Sequence, residues 1–183
     1  MLATWPRSGV SEVRYRSLLG RDVTIDACVA IDLSELGCLE LLGCIFRVIY
    51  IPELVLNTEI QSLKPNLSSL NPVLADITSI KGWEFFHRLK DQFPALSDQD
   101  RLVITISYET NSVCISNDAT IRKACERHHI WVSGLLGVLG CARTHNVISQ
   151  DKLSELISSL DNTGCYISAD ILWEFKKHFG LSE

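Results

Sequence analysis

A three-layer α/β/α domain around a central parallel sheet of about four to five strands is predicted by three observations. Short β-branched runs recur along the chain, and stretches with apolar residues at helical spacing alternate with them. Alternation at that interval implies parallel strands joined by right-handed crossovers. The runs are apolar throughout rather than polar at every second position, as in strands buried on both faces.

The first run, VTI, ends at Asp26, and IDLSELGCLELL after it repeats leucines at helical spacing up to Gly43. FRVIYIP is the second strand, stopped by Pro52, and ELVLNTEIQSL the helix that follows. Between Lys64 and Leu96, Pro65, Pro72 and Pro94 separate amphipathic stretches such as VLADITSI and GWEFFHRLKDQF, which read as a helical excursion outside the sheet. Ser97 is an N-cap followed by acids in the first turn, predicting a helix to about Asn111 despite the β-branched residues of LVITIS. A strand through LVITIS is the competing reading. SVCIS is a third strand, ending at Ser116, Asn117 and Asp118; TIRKACERHH is a helix and HIWVSG a fourth strand closed by Gly134. GLLGVLGCART, SQDKLSELISSLDNTG and YISADILWEFKKHFG follow as helices. Residues 1–22 are an N-terminal extension with no readable role, and residues 23–183 form a single domain.

A chain of 183 residues with 46% hydrophobic content can bury one core without disulfides. It holds no uninterrupted apolar span of about 20 residues, so no transmembrane helix is implied. The arginines near the N-terminus are not followed by an apolar run, which argues against a secretory signal and for the cytoplasm. The seven cysteines include no C-x-x-C pair and mostly sit in apolar runs, so free buried thiols are expected. None has a His or Lys spaced to activate it as a nucleophile. A formal charge of −5 lacks the basic balance of a dedicated nucleic-acid-binding protein. It still suits a nuclease that holds cations between carboxylates while a few basic residues steer phosphate.

Ligands of open α/β sheets bind outside the carboxyl ends of the strands, where strand order reverses. Asp26 and Asp118 each end a strand there, and an ionised carboxylate after buried apolar residues needs a donor, a cation or a metal. Either alone reads equally well as a helix N-cap. Both together favour a metal. Glu59 and Asp100 fall on helices, where each alone reads as a solvated carboxylate, and composition does not separate them from Glu53, Asp76, Asp91 or Asp98.

The succession IDACVAIDLSELGCLELL, VIYIPELVLNTEI, ALSDQDRLVITIS and VCISNDATIRKA resembles, in order, the four acidic motifs of the PIN-domain nucleases. WVSGLLGVLGCARTHNVIS and ISSLDNTGCYISADIL resemble the glycine-punctuated end of a prokaryotic subgroup similar to the toxins of toxin–antitoxin pairs. The resemblance implies a PIN-like fold and makes Asp26, Glu59, Asp100 and Asp118 both the catalytic residues and the metal ligands. Glu59 follows the element from Pro52 to Val55, with Glu53 as fallback, and Asp100 closes a pattern starting at Leu96. Two departures stand out: Cys28 occupies the place of a small hydroxyl residue, and Glu59 lies one residue further from the proline than in the family. The resemblance also implies a ribonuclease acting on single-stranded or looped RNA, an antitoxin protein as partner, and a homodimer.

Four carboxylates at close range require a compensating cation. An all-oxygen donor set points to Mg²⁺ or Mn²⁺ rather than Zn²⁺. His128 and His129 are adjacent, cannot share a helix face, and read as helix-end residues. Arg122 and Lys123, one turn beyond Asp118, together with Asn117, are the candidates for contact with substrate, the two basic residues reading equally as a solvated helix face. Two other functions compete. One is a PIN-like binding or regulatory module with little or no nuclease activity. The other is a phosphotransferase with an aspartyl nucleophile at Asp26, disfavoured because Cys28 stands where its second Asp would be.

Overall fold

The computed structural model describes residues 15–160, 163–165 and 167–181. Five strands, β1 (Asp22–Ile25), β2 (Val48–Pro52), β3 (Val73–Ala75), β4 (Val113–Ile115) and β5 (Val132–Ser133), form one sheet in the order β3-β2-β1-β4-β5. All four pairings are parallel. Ten helices accompany them among the described residues: α1 (Ala27–Glu35), α2 (Leu41–Ile45), α3 (Glu53–Thr58), α4 (Lys64–Ser68), α5 (Ile80–Gln92), α6 (Asp98–Thr110), α7 (Ala119–Arg127), α8 (Leu135–Thr144), α9 (Gln150–Ser158) and α10 (Ala169–Phe179). The three-layer α/β/α reading of the sequence therefore holds. None of these helices is long and apolar enough to cross a membrane.

The central strands are buried on both faces, which is why their sequences do not alternate: Val23, Ile25, Ile51, Val113, Cys114 and Ile115 are all nearly solvent-free. Thr24, also fully buried, is accommodated because its hydroxyl meets that of Ser112 at 2.7 Å, and Ser112 in turn accepts from Thr110 at 2.8 Å. The β-branched helix after Ser97 forms as expected. Ser97 Oγ accepts the Asp100 amide at 3.1 Å while Asp100 Oδ2 accepts the Ser97 amide at 2.8 Å, a reciprocal cap that starts α6. Asn111, left-handed at φ 52°, ends it.

Two local expectations are corrected. The single helix from Ile31 to Leu42 breaks at Gly37, whose φ of +64° lets its amide reach Ser34 O and the Cys38 amide reach Leu33 O. That pattern closes α1 and makes α2 a separate turn. The stretch VLADITSI is not helical at its start: Val73–Ala75 is an edge strand beside β2, with Val73 opposite Tyr50. Pro72 lacks an amide hydrogen and is tolerated at the entrance of an edge strand, where amphipathic spacing alone misreads so short a segment.

Tyr15 and Leu18, ahead of β1, belong to the core. The Tyr15 ring packs edge-on to Phe175 at 5.9 Å and against Phe179 at 5.3 Å. All seven cysteines are free thiols; Cys38, Cys114, Cys125 and Cys141 are buried, whereas Cys44 is exposed.

Candidate metal centre

Strand order reverses between β1 and β4, since β1 continues to β2 on one side and β4 to β5 on the other. A crevice at the carboxyl ends of those two strands follows from that topology. Asp26 leaves β1 there, its amide donating to Ile115 O at 3.0 Å, and Ser116, Asn117 and Asp118 leave β4 opposite it.

Asp26 is 6% exposed. Burial pushes its carboxyl above the ordinary carboxylate value, hydrogen bonds from Cys28 and Ser116 work the other way, and the neighbouring Asp100 carboxylate raises it further. Glu59 stands at the end of α3 and is largely exposed, yet it too is raised, by partial burial first and then by Asp26 and Asp100. Three of the four predicted acids thus lie within electrostatic reach of one another although 74 positions separate the first from the last (Asp26 to Asp100). No Lys or Arg among the described residues forms an ion pair with any of them. Equally, no three His, Cys, Asp or Glu side chains among the described residues are already gathered at metal-ligating distance.

Asp118 is placed differently. Its Oδ1 accepts the amides of Thr120 at 2.7 Å and Ile121 at 2.8 Å, which makes it the N-cap of α7. Its link to the other acids runs through its backbone: the Asp118 amide donates to Ser116 Oγ at 3.1 Å, and Ser116 Oγ donates to Asp26 Oδ2 at 2.7 Å. Glu53 opens α3 on the surface, and Asp98 pairs with buried Arg101, which also stacks over Phe86 at 4.3 Å.

The candidates for substrate contact divide. Arg122 donates to the Ser116 carbonyl at 3.2 Å, and Lys123 is exposed. Asn117 is engaged within the protein: its Nδ2 donates to Asp32 at 3.0 Å and to Cys165 Sγ at 3.4 Å, and its Oδ1 accepts the Leu135 amide at 3.0 Å. His128 ends α7, bonded to Gln92 at 2.8 Å; burial and the nearby Arg127 and Arg88 lower its pKa, the reverse of what a charge-stabilising helix end does. A cavity of about 360 Å³ lined by Arg143, Thr144, Asn146, Gln150, His178 and Phe179 lies at the C-terminal end of α8 and contains none of the acids.

The thiol that stands in place of the family's small hydroxyl does bond within the site, Cys28 Sγ donating to Asp26 Oδ2 at 2.8 Å. Sequence reasoning missed Ser116, which donates to the same oxygen at 2.7 Å. The signal was a small polar side chain at the end of the strand neighbouring β1. Asp32, buried and held by Asn117 and Cys165, also escaped notice; burial raises its pKa as well.

Residues 22–180 match the model of a family described as a PIN domain, DUF3368. No curated protein matches the chain. PIN domains are generally nucleases that use divalent metals, and a match over this span, with the acids at the switch point of a parallel sheet, means that the chain belongs to the PIN-domain family.

Proposed function

We propose that this protein is an endoribonuclease dependent on Mg²⁺ or Mn²⁺, with Asp26, Glu59 and Asp100 as the principal ligands and Asp118 at the rim of the site. The observation that carries the reading is that Asp26 and Glu59 are both raised in pKa, by burial first and then by neighbouring carboxylates that include Asp100, while no basic side chain among the described residues forms an ion pair with them. The donor set fits a hard cation. Mg²⁺ in particular keeps several waters and is completed by substrate phosphate. When bound, the cation would neutralise phosphate charge and make a water acidic enough to attack.

The chain's own residues would orient and charge the site. Asp26 is held by fixed donors, the first turn of α6 delivers Asp100, and the end of α3 delivers Glu59. Lys123 is an exposed cation five residues beyond Asp118 and would meet phosphate; Arg122 contributes through its grip on the Ser116 carbonyl. Activity as the toxin of a toxin–antitoxin pair, as a homodimer, rests on the resemblance of the motifs, and a cytoplasmic location on the absence of an apolar run after the N-terminal arginines.

The test is cleavage of end-labelled single-stranded RNA with Mn²⁺. Asp26→Asn and Asp118→Asn should abolish metal-dependent cleavage with the circular dichroism spectrum unchanged; equal cleavage by either variant, or in excess EDTA, sinks the assignment. A second reading, a PIN-like module with little or no activity, is favoured by Cys28 in the place of a hydroxyl residue, the shifted Glu59 and the net charge of −5. Calorimetric titration with Mn²⁺ separates the two.

A further inference from the structure

Two donors on different elements converge on one oxygen of Asp26, Cys28 Sγ at 2.8 Å and Ser116 Oγ at 2.7 Å, the two atoms 3.8 Å apart. Ser116 is itself backed by a backbone amide of the loop after β4, the Asp118 amide donating to its Oγ at 3.1 Å. With an amide filling its acceptor side, the Ser116 hydroxyl is left to direct its own hydrogen at the carboxylate.

We propose that Cys28 and Ser116 are positioning residues that hold Asp26 by its Oδ2 in the orientation in which its carboxylate would meet the cation. The inference rests on the metal-dependent reading above. It gives Cys28 a defined role: a thiol is an intrinsically weak donor, but here it meets a buried carboxylate acceptor at 2.8 Å. Outer residues that orient a ligand typically change metal affinity by about 10–100-fold when removed.

The experiment uses the full chain and two readouts. In Mn²⁺ calorimetry, Cys28→Ala and Ser116→Ala should each weaken binding about tenfold or more, and Cys28→Ser should restore the wild-type value. In the metal-free protein, the infrared difference between wild type and Cys28→Ser should show an S–H stretch shifted to lower frequency than that of a free thiol. Hydrogen exchange at the Asp118 amide should accelerate in Ser116→Ala but not in Cys28→Ala. The proposal is overturned if Cys28→Ala binds Mn²⁺ as tightly as wild type, or if the Cys28 S–H band lies at the free-thiol frequency. A wild-type protein that takes up no Mn²⁺ overturns the nuclease reading and the cation half of this proposal, while the infrared and exchange results still decide whether the donors hold Asp26.

Discussion

Asn117 donates its side-chain amide to the carboxylate of Asp32, 85 residues earlier in the chain, and accepts the Leu135 amide on its other side. One side chain thereby ties α1, the loop after β4 and the start of α8 together. Asn117→Ala should cost about 1–3 kcal/mol of stability in urea unfolding, because it strips a partner from the buried Asp32. A stability equal to wild type would free Asn117 for a role in substrate contact alone.

The electrostatics of the site set a pH dependence. Asp26 and Glu59 have folded pKa values above their ordinary 3.8 and 4.5, so the folded protein holds more protons than the unfolded chain between those values and the raised ones. Metal-free stability should therefore be greatest below that interval and decline as pH rises through it. Asp22, lowered by its hydrogen bonds to Arg47, acts in the opposite sense below 3.8. Thermal unfolding in EDTA across this range should show the decline, and Asp26→Asn should shrink it. Mn²⁺ affinity should rise with pH over the same interval, since ligands must release protons to bind.

Asp118 can be separated into cap and charge. Asp118→Ala should lose about 1 kcal/mol through the missing N-cap of α7, whereas Asp118→Asn keeps an acceptor for the Thr120 and Ile121 amides and should unfold like wild type. If the two variants lose cleavage equally but differ in stability, the carboxylate charge serves catalysis beyond the cap.

Close packing at the start of α8 gives another expectation. A Cβ at position 137 would run into the Ser133 hydroxyl, whereas one at position 164 would meet nothing within 4 Å. Gly137→Ala should destabilise by about 1–3 kcal/mol. Gly164→Ala should leave the unfolding midpoint in place, and Ser133→Gly should recover part of the loss in the double variant.

Much of this was legible in the residues because strand-end aspartates and caps are local signals. Asp26 follows three apolar residues, and Asp100 lies three residues after Ser97 in a reciprocal cap. Glu59 was not legible in that way; only the order of motifs selected it, since its place depends on how the short α3 ends. The edge strand Val73–Ala75 was lost because three residues carry too little periodicity to outweigh their amphipathic surroundings. The convergence of Cys28 and Ser116 on Asp26 was hidden for a different reason, being a contact across 90 positions that exists only once β1 and β4 pair.

That pairing has a consequence for synthesis. Thr24 in β1 lies beside Tyr50 of β2 and Cys114 of β4, so the middle of the sheet, and the acids at its edge, cannot be assembled from the first half of the chain. Contacts of such sequence separation form slowly, after loop closure has been paid. A nascent chain halted before residue 113 carries Asp26, Glu59 and Asp100 but neither the strand that flanks β1 nor the hydroxyl that holds Asp26. The completed centre therefore belongs only to a polypeptide that already extends past Asp118.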